Sequence, residues 1–342
     1  MPLTFDFGNG SNLLAPDTPG NPVMGIESTK TESSRLHVKS AAEQLADSSA
    51  PPFEIWRREK MQHIQSALEN ALPDPAVMPS RLHEAMRYAV LGAGKRLRPL
   101  LCHAAGAVFG AAPEALGMAS AAVEMIHVAS LVHDDLPALD NDDLRRGRAT
   151  VHVQYDEALA ILVGDALFIQ AFTTLSRIPV KIDCVMRMVQ ELAHASGSAG
   201  LTGGQVLDLA AVSTTLDAAS LETLHHLKTG SLIRASLHMG ALCAGLTDYP
   251  SHALDRYAQA IGLAFQIVDD VLDYTMDTAT LGKTAGKDAR DHKQTYVSMH
   301  GLETSMQLAR DLLVQAHHAL VALPGNTDPL HGLAELIVQR TR

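Results

Sequence analysis

Two runs of aspartate are the residues best suited to chemistry. The first is His133-Asp134-Asp135-Leu136-Pro137-Ala138-Leu139-Asp140-Asn141-Asp142-Asp143, and the second is Asp269-Asp270-Val271-Leu272-Asp273. On a helix, Asp269 and Asp273 share one face a turn apart, where like charges repel. The helix gains nothing from that pair unless a cation lies beside it. All the donors are oxygens, with no Cys and no Glu-x-x-His pattern among them, which favours a hard cation over zinc. A calcium EF-hand is excluded, because the first run lacks the required Gly and the terminal Glu. Mg²⁺ takes one or two carboxylates and completes its shell with water and phosphate oxygens, so two facing aspartate runs would clamp a diphosphate between metal ions. One such run by itself reads as a solvated acidic face or a set of helix caps. Two runs, each following a strongly apolar helix, read as a site.

Cations accompany them. Gly92-Ala93-Gly94-Lys95-Arg96-Leu97-Arg98-Pro99 places three cations after a glycine turn, a seat for a diphosphate made of backbone amides and basic side chains. The spacing is not that of a Walker A loop. Arg145-Arg146-Gly147-Arg148 follows the first aspartate run directly, and Lys228-Thr229-Gly230, Lys283, Lys287 and Lys293 add more. Each alone reads as a surface cation. Together they leave room for a second anion held without metal.

These residues need a scaffold, and the texture of the chain predicts helices. Of 342 residues, 46% are hydrophobic and only 4% aromatic, with Ala and Leu dominant. That composition favours helix and argues against a large sheet. Residues 1–50 read as a disordered tail rich in Gly, Asn, Pro, Ser and Thr. Residues 51–342 read as one all-α domain, with helical texture from Glu54. Ile64, Leu68 and Leu72 mark one helix face; Leu82, Met86, Ala89 and Val90 mark a second. Helical signals follow at about 117–136, 155–176, 182–195, 217–244, 251–275 and 303–321. Pro137 should end or kink the helix near Leu136, so that Asp140 returns from the next loop towards Asp134 and Asp135.

The formal net charge of −11 makes a non-specific nucleic-acid binder a poor fit. Cys102, Cys184 and Cys243 match no zinc or redox spacing and read as reduced core residues of a cytoplasmic protein. No apolar run of membrane-spanning length is expected, and no basic-then-apolar leader is read at the N-terminus.

The runs Ala85–Pro99 (AMRYAVLGAGKRLRP) and Glu124–His152 (EMIHVASLVHDDLPALDNDDLRRGRATVH), with Lys228-Thr229-Gly230 and Gly262–Asp288, resemble the trans-type (E-) isoprenyl diphosphate synthases, short-chain bacterial type. The resemblance implies the isoprenoid synthase fold, a large all-α bundle around a deep central cavity, usually a homodimer. It implies three Mg²⁺ ions on an allylic diphosphate, held by Asp134, Asp135, Asp140 and Asp269, with Asp270 and Asp273 completing the second motif. It assigns Arg145, Lys228 and Lys283 to the same diphosphate. Gly94, Lys95, Arg98, His127 and Arg146 go to isopentenyl diphosphate, and Thr229 and Gln266 to the reacting carbon. Without the resemblance, His127 on an apolar helix face reads as a core histidine. The implied chemistry is ionisation of the allylic C–O bond, attack by the isopentenyl double bond, and loss of a proton to pyrophosphate.

Product length should depend on the helix that ends at Asp134. At about 1.5 Å per residue, position 129 lies roughly 7 Å below the first aspartate. Ala129 and Ser130 are small, and bacterial farnesyl-producing enzymes usually carry a bulky aromatic at the first of these positions. Growth should therefore pass fifteen carbons to a C20 product, as in geranylgeranyl diphosphate synthases, with the floor deeper, near Met125 and Ile126. A C15 product is the alternative. A terpene cyclase should lack the Gly-Lys-Arg-x-Arg seat and the second full motif. A non-catalytic partner subunit should have lost part of the charged set, which is intact here.

Overall fold

The computed structural model describes residues 51–211, 216–275 and 294–340. The expected tail and the lysines Lys283, Lys287 and Lys293 lie outside the described residues. Helix α1 (Pro52–Ala71) starts on a proline and buries Ile64 and Leu68, with Leu72 buried just past its end, as the four-residue spacing predicts. It is followed by α2 (Ser80–Val90), α3 (Leu97–Val108) and α4 (Pro113–Asp134). A two-residue antiparallel ladder, β1 (Leu144–Arg145) with β2 (Arg148–Ala149), interrupts the helices. Next come α5 (Val151–Gln154), α6 (Glu157–Leu175), α7 (Ile182–Ser196) and α8 (Leu201–Ala211). The chain continues through α9 (Ala218–His225), a π-helical turn (His226–Gly230), α10 (Ser231–Leu242) and α11 (Ser251–Thr275). It closes with α12 (Tyr296–His300), α13 (Leu302–Leu320) and α14 (Asp328–Val338). Asp156 and Asp217 cap α6 and α9, accepting from Leu159 N at 2.7 Å and Ser220 N at 2.8 Å.

The fold is all-α, as expected. Helices α4 and α10 form its centre. In α10 every side chain except Arg234 is buried, the pattern of a helix surrounded by others. It crosses α3 where Gly106 faces Gly240, and a methyl group on Gly240 would overlap the Cys102 carbonyl. Helix α4 packs on α6, and α11 lies along α13. All three cysteines are free and buried.

Several elements differ from the sequence expectation. The 217–244 signal is not one helix, since the π turn divides α9 from α10. Helices α8, α12 and α14 were not expected. Gly203 and Gly204 lie inside α8, and a side chain at Gly204 would strike the backbone of Lys228, so glycine there permits close packing. The expectation of no apolar run of membrane-spanning length is also corrected. Both α4 and α6 are long and apolar enough by length and composition. In α4 the apolar window is 83% buried inside the bundle, whereas in α6 it is 39% buried.

Candidate active site

A cavity of about 270 Å³ opens between α4, α8, α9, the π turn and α11. From α4 it receives His127, Ser130, Leu131 and Asp134; from the following loop come Asp140 and Asp142, and from β1 Arg145. Helix α11 adds Gln266, Asp269, Asp270 and Asp273 from the other side, and the π turn adds Lys228 and Thr229. Arg98 reaches it from α3. Asp134, Asp140 and Asp142 of the first run therefore share one cavity with Asp269, Asp270 and Asp273 of the second, whereas Asp135 lines the neighbouring cleft with Arg145 and Arg146.

The first run folds back on itself. Helix α4 ends at Asp134, three residues before Pro137, and the loop then returns so that Asp140 N donates to Asp134 O at 2.8 Å. Asp142 N donates to Asp135 O at 3.2 Å. Burial pushes the Asp134 carboxyl up to about 6, with Asp140 and Asp135 repelling its charge and Lys228 and Arg145 favouring it. Asp135 is also raised by burial, while Arg145 pulls it back. Arg145 grips Asp135 through Nε at 3.0 Å and through Nη2, and reaches Asp142 at 3.3 Å.

In the second run the aspartates differ in task. Asp270 accepts from Gln266 Nε2 at 3.0 Å and from the backbone N–H of Tyr296, which opens α12, at 2.9 Å. It joins two helices as well as lining the cavity. Asp269 meets Arg340 at 3.2 Å. The Thr229 hydroxyl lies 3.5 Å from Gln266 Oε1, a long contact that links the π turn to α11. A π turn places one extra residue in a helical turn and often marks a functional site.

Among the described residues, no three His, Cys, Asp or Glu side chains converge as a ready-made metal cage. Mg²⁺ does not require one, because it takes few carboxylates and fills its shell from water and phosphate. Half-buried Asp134 and Asp269 and buried Asp270 and Asp273, from two helices around one cavity, with Asp134 raised by burial and by its acidic neighbours, are a donor set that a hard cation would relieve.

The basic seat is only partly as expected. Arg98 is on the cavity wall, and burial lowers its pKa to about 10, with Glu124 supporting the charge and Arg146 opposing it. Arg146 donates to Ala93 O at 3.1 Å and lies so close to Gly94 that a methyl group there would overlap its guanidinium. Lys95 is exposed on the adjoining turn. Burial first, then Arg98 and Arg146, hold His127 well below the usual histidine range, so it is a neutral group on the wall of a cationic pocket. Arg96 departs from the reading of three seat cations. Its left-handed backbone, φ 49°, turns the side chain inward to Glu124 at 2.6 Å, Val90 O at 2.6 Å and Gly92 O at 2.7 Å. It fastens the glycine turn to α4 and does not face the seat.

Of the floor residues, Ser130 lines the cavity. Ala129, Met125 and Ile126 are fully buried, and among the described residues they are not on its wall. Sequence reasoning missed Gln205, Asp208, Glu124 and Arg340. Asp208 pairs with Lys228 at 2.6 Å, and Gln205 presents an amide whose nitrogen and oxygen are both buried without a hydrogen-bond partner. Leu201, Gln205 and Asp208 repeat at helical spacing, a signal that the Gly203-Gly204 pair hid.

A helical bundle that draws two carboxylate runs and several cations into one cavity defines an enzyme built to handle diphosphates. The sequence profile described as polyprenyl synthetase matches residues 79–319. The chain is 47% identical over 274 residues to a probable farnesyl diphosphate synthase of Sinorhizobium fredii, covering 79% of this chain and 82% of that one. It is 40% identical over 326 residues to geranylgeranyl pyrophosphate synthase 9, chloroplastic, of Arabidopsis thaliana, covering 93% and 90%. The fold matches geranyltransferase from Helicobacter pylori, solved with magnesium and isoprenyl diphosphate, with TM-score 0.75, 31% identity, and 84% and 97% of the two chains covered. The chain belongs to the polyprenyl synthetase family. It is a prenyltransferase, of a magnesium-dependent family whose substrates are prenyl diphosphates.

Proposed function

We propose that this prenyltransferase condenses isopentenyl diphosphate with allylic diphosphates and releases mainly a C20 product, geranylgeranyl diphosphate. Asp134, Asp135, Asp140 and Asp269 would hold Mg²⁺, three ions in all, which when bound withdraw charge from the allylic diphosphate. Arg145, Lys228 and Lys283 orient that diphosphate, with Asp270 and Asp273 supporting the second motif. The allylic C–O bond breaks and its electron pair leaves with pyrophosphate. Thr229 and Gln266 border the reacting carbon. Gly94, Lys95, Arg98, Arg146 and neutral His127 seat isopentenyl diphosphate, whose double bond supplies the electrons of the new C–C bond. The proton lost in forming the product double bond goes to pyrophosphate.

Ser130, small and on the cavity wall beneath the first aspartates, carries the C20 reading, with the small, buried Ala129 beside it. A C15 product is the second reading, favoured by the higher identity to the relative named for farnesyl diphosphate than to the one named for geranylgeranyl pyrophosphate. A homodimer accords with the apolar side chains exposed on neighbouring helices: Ile161, Leu162 and Ile169 on α6, and Ile182 and Met186 on α7. A cytoplasmic location goes with the same reading. Product analysis by chain length decides between C20 and C15: farnesyl diphosphate as the sole product would overturn the C20 reading. Ser130→Phe, on the cavity wall, should shorten the product most, and Ala129→Phe less. Unchanged products in both variants would remove this helix from length control.

A further inference from the structure

We infer that Arg340 is a positioning residue that holds Asp269 in the metal-free enzyme and releases that carboxylate to the incoming cation. The inference rests on Asp269 being a metal ligand, as proposed above.

Arg340 lies two residues beyond the end of α14 and reaches back to α11. Its Nη2 donates to the Phe265 carbonyl at 2.7 Å, and its guanidinium carbon stands 4.1 Å from the centre of the Phe265 ring. The same Nη2 lies 3.2 Å from Asp269 Oδ1. The side chain is only 9% exposed, and its Nε is buried without a hydrogen-bond partner. An arginine stays charged at any ordinary pH, so this is a permanent cation set against the second aspartate motif.

The distances indicate which contact is exchangeable. Charge-assisted N–H···O bonds are commonly 2.7–2.9 Å. Arg96 with Glu124 and Lys228 with Asp208 both lie at 2.6 Å, shorter than that range, whereas Arg340 with Asp269 is longer. Arg340 makes its better hydrogen bond to the Phe265 carbonyl and stacks on the same residue, and neither contact needs Asp269. The carboxylate can therefore leave while the arginine stays anchored. In the free enzyme the arginine offsets the charges of Asp269 and Asp270; on metal binding, a divalent cation takes over that role. A purely structural strap would predict the reverse, since loosening α11 would weaken the metal site.

Mn²⁺ titrated into the free full-length protein and followed by the loss of free-ion EPR signal tests this without turnover. Wild type should bind Mn²⁺, and Asp269→Asn should weaken that binding; if it does not, the metal-ligand reading itself fails. Arg340→Gln should bind Mn²⁺ about tenfold more tightly than wild type, and Mg²⁺ should raise its Tm by more. If Asp269→Asn weakens binding while Arg340→Gln leaves it unchanged or weaker, the inference is overturned and the metal-ligand reading stands. A calorimetric scan of Arg340→Gln without metal, showing one cooperative transition, confirms that the comparison is between folded proteins.

Discussion

On the acidic side of the cavity, Asp142, Asp208 and Asp269 each meet a cation: Arg145, Lys228 and Arg340. On the basic side, Arg146 donates to a backbone carbonyl and Arg98 keeps a buried Nε without a partner. The carboxylate nearest that seat, Glu124, is taken by Arg96. The acidic side is thus pre-neutralised by side-chain cations. The basic side remains short of anions, and burial and cationic neighbours keep His127 neutral rather than adding another positive charge. One side would bind by exchanging partners and the other by gaining one.

The largest effect should come from the acidic side. Asp134→Asn removes a carboxylate proposed to hold Mg²⁺, and should lower kcat/KM by roughly a thousandfold, in line with the several kcal/mol that metal-assisted charge stabilisation supplies. Steady-state kinetics with geranyl and isopentenyl diphosphates measures it. A loss below tenfold would mean that the cations alone carry the diphosphate. On the basic side the comparable change acts on stability. Glu124→Gln leaves the Arg96 charge buried with only carbonyl partners and should cost about 3 kcal/mol in urea unfolding. A cost under about 1 kcal/mol would show that the carbonyls suffice and that Glu124 is not what fixes the glycine turn.

The same contrast explains what could be read in the sequence. The turn-back of Asp140 towards Asp134 was legible, because Pro137 cannot continue a helix and both carboxylate runs end apolar segments. Their meeting in one cavity was legible only through the charge logic of a shared cation. Arg96 was misassigned because spacing alone cannot reveal the left-handed backbone that turns it towards Glu124. The Asp208 partner of Lys228 was hidden in a helix with two adjacent glycines, of which Gly204 serves close packing against the π turn. Arg340 meets Asp269 only through tertiary folding of α14 onto α11, which no local pattern encodes. The wall position of Ser130 and the interior position of Ala129 depend on helix rotation by a single residue, finer than periodicity resolves.

The smallest effect tests the anion deficit of the basic side through pH. Burial, then Arg98, Arg146, Arg145 and Arg96, lower the pKa of His127, so the folded protein keeps it neutral where an unfolded histidine, near 6.5, begins to protonate. The unfolded state then binds the extra proton, so the contribution of His127 to stability falls as pH drops below about 6.5. His127→Asn should flatten that fall, by about 1 kcal/mol over the first pH unit below 6.5, in urea unfolding measured at matched pH. His103 and His225 are lowered in the same direction, and burial raises Asp134 in the opposite one; none of these is altered by the substitution, so the difference between wild type and variant isolates His127. Saturating isopentenyl diphosphate should shrink that difference, because a bound anion offsets the arginines and lets His127 take a proton. If the difference persists unchanged with ligand bound, the diphosphate does not sit against His127, and the seat must be drawn around Arg98 and Arg146 without it.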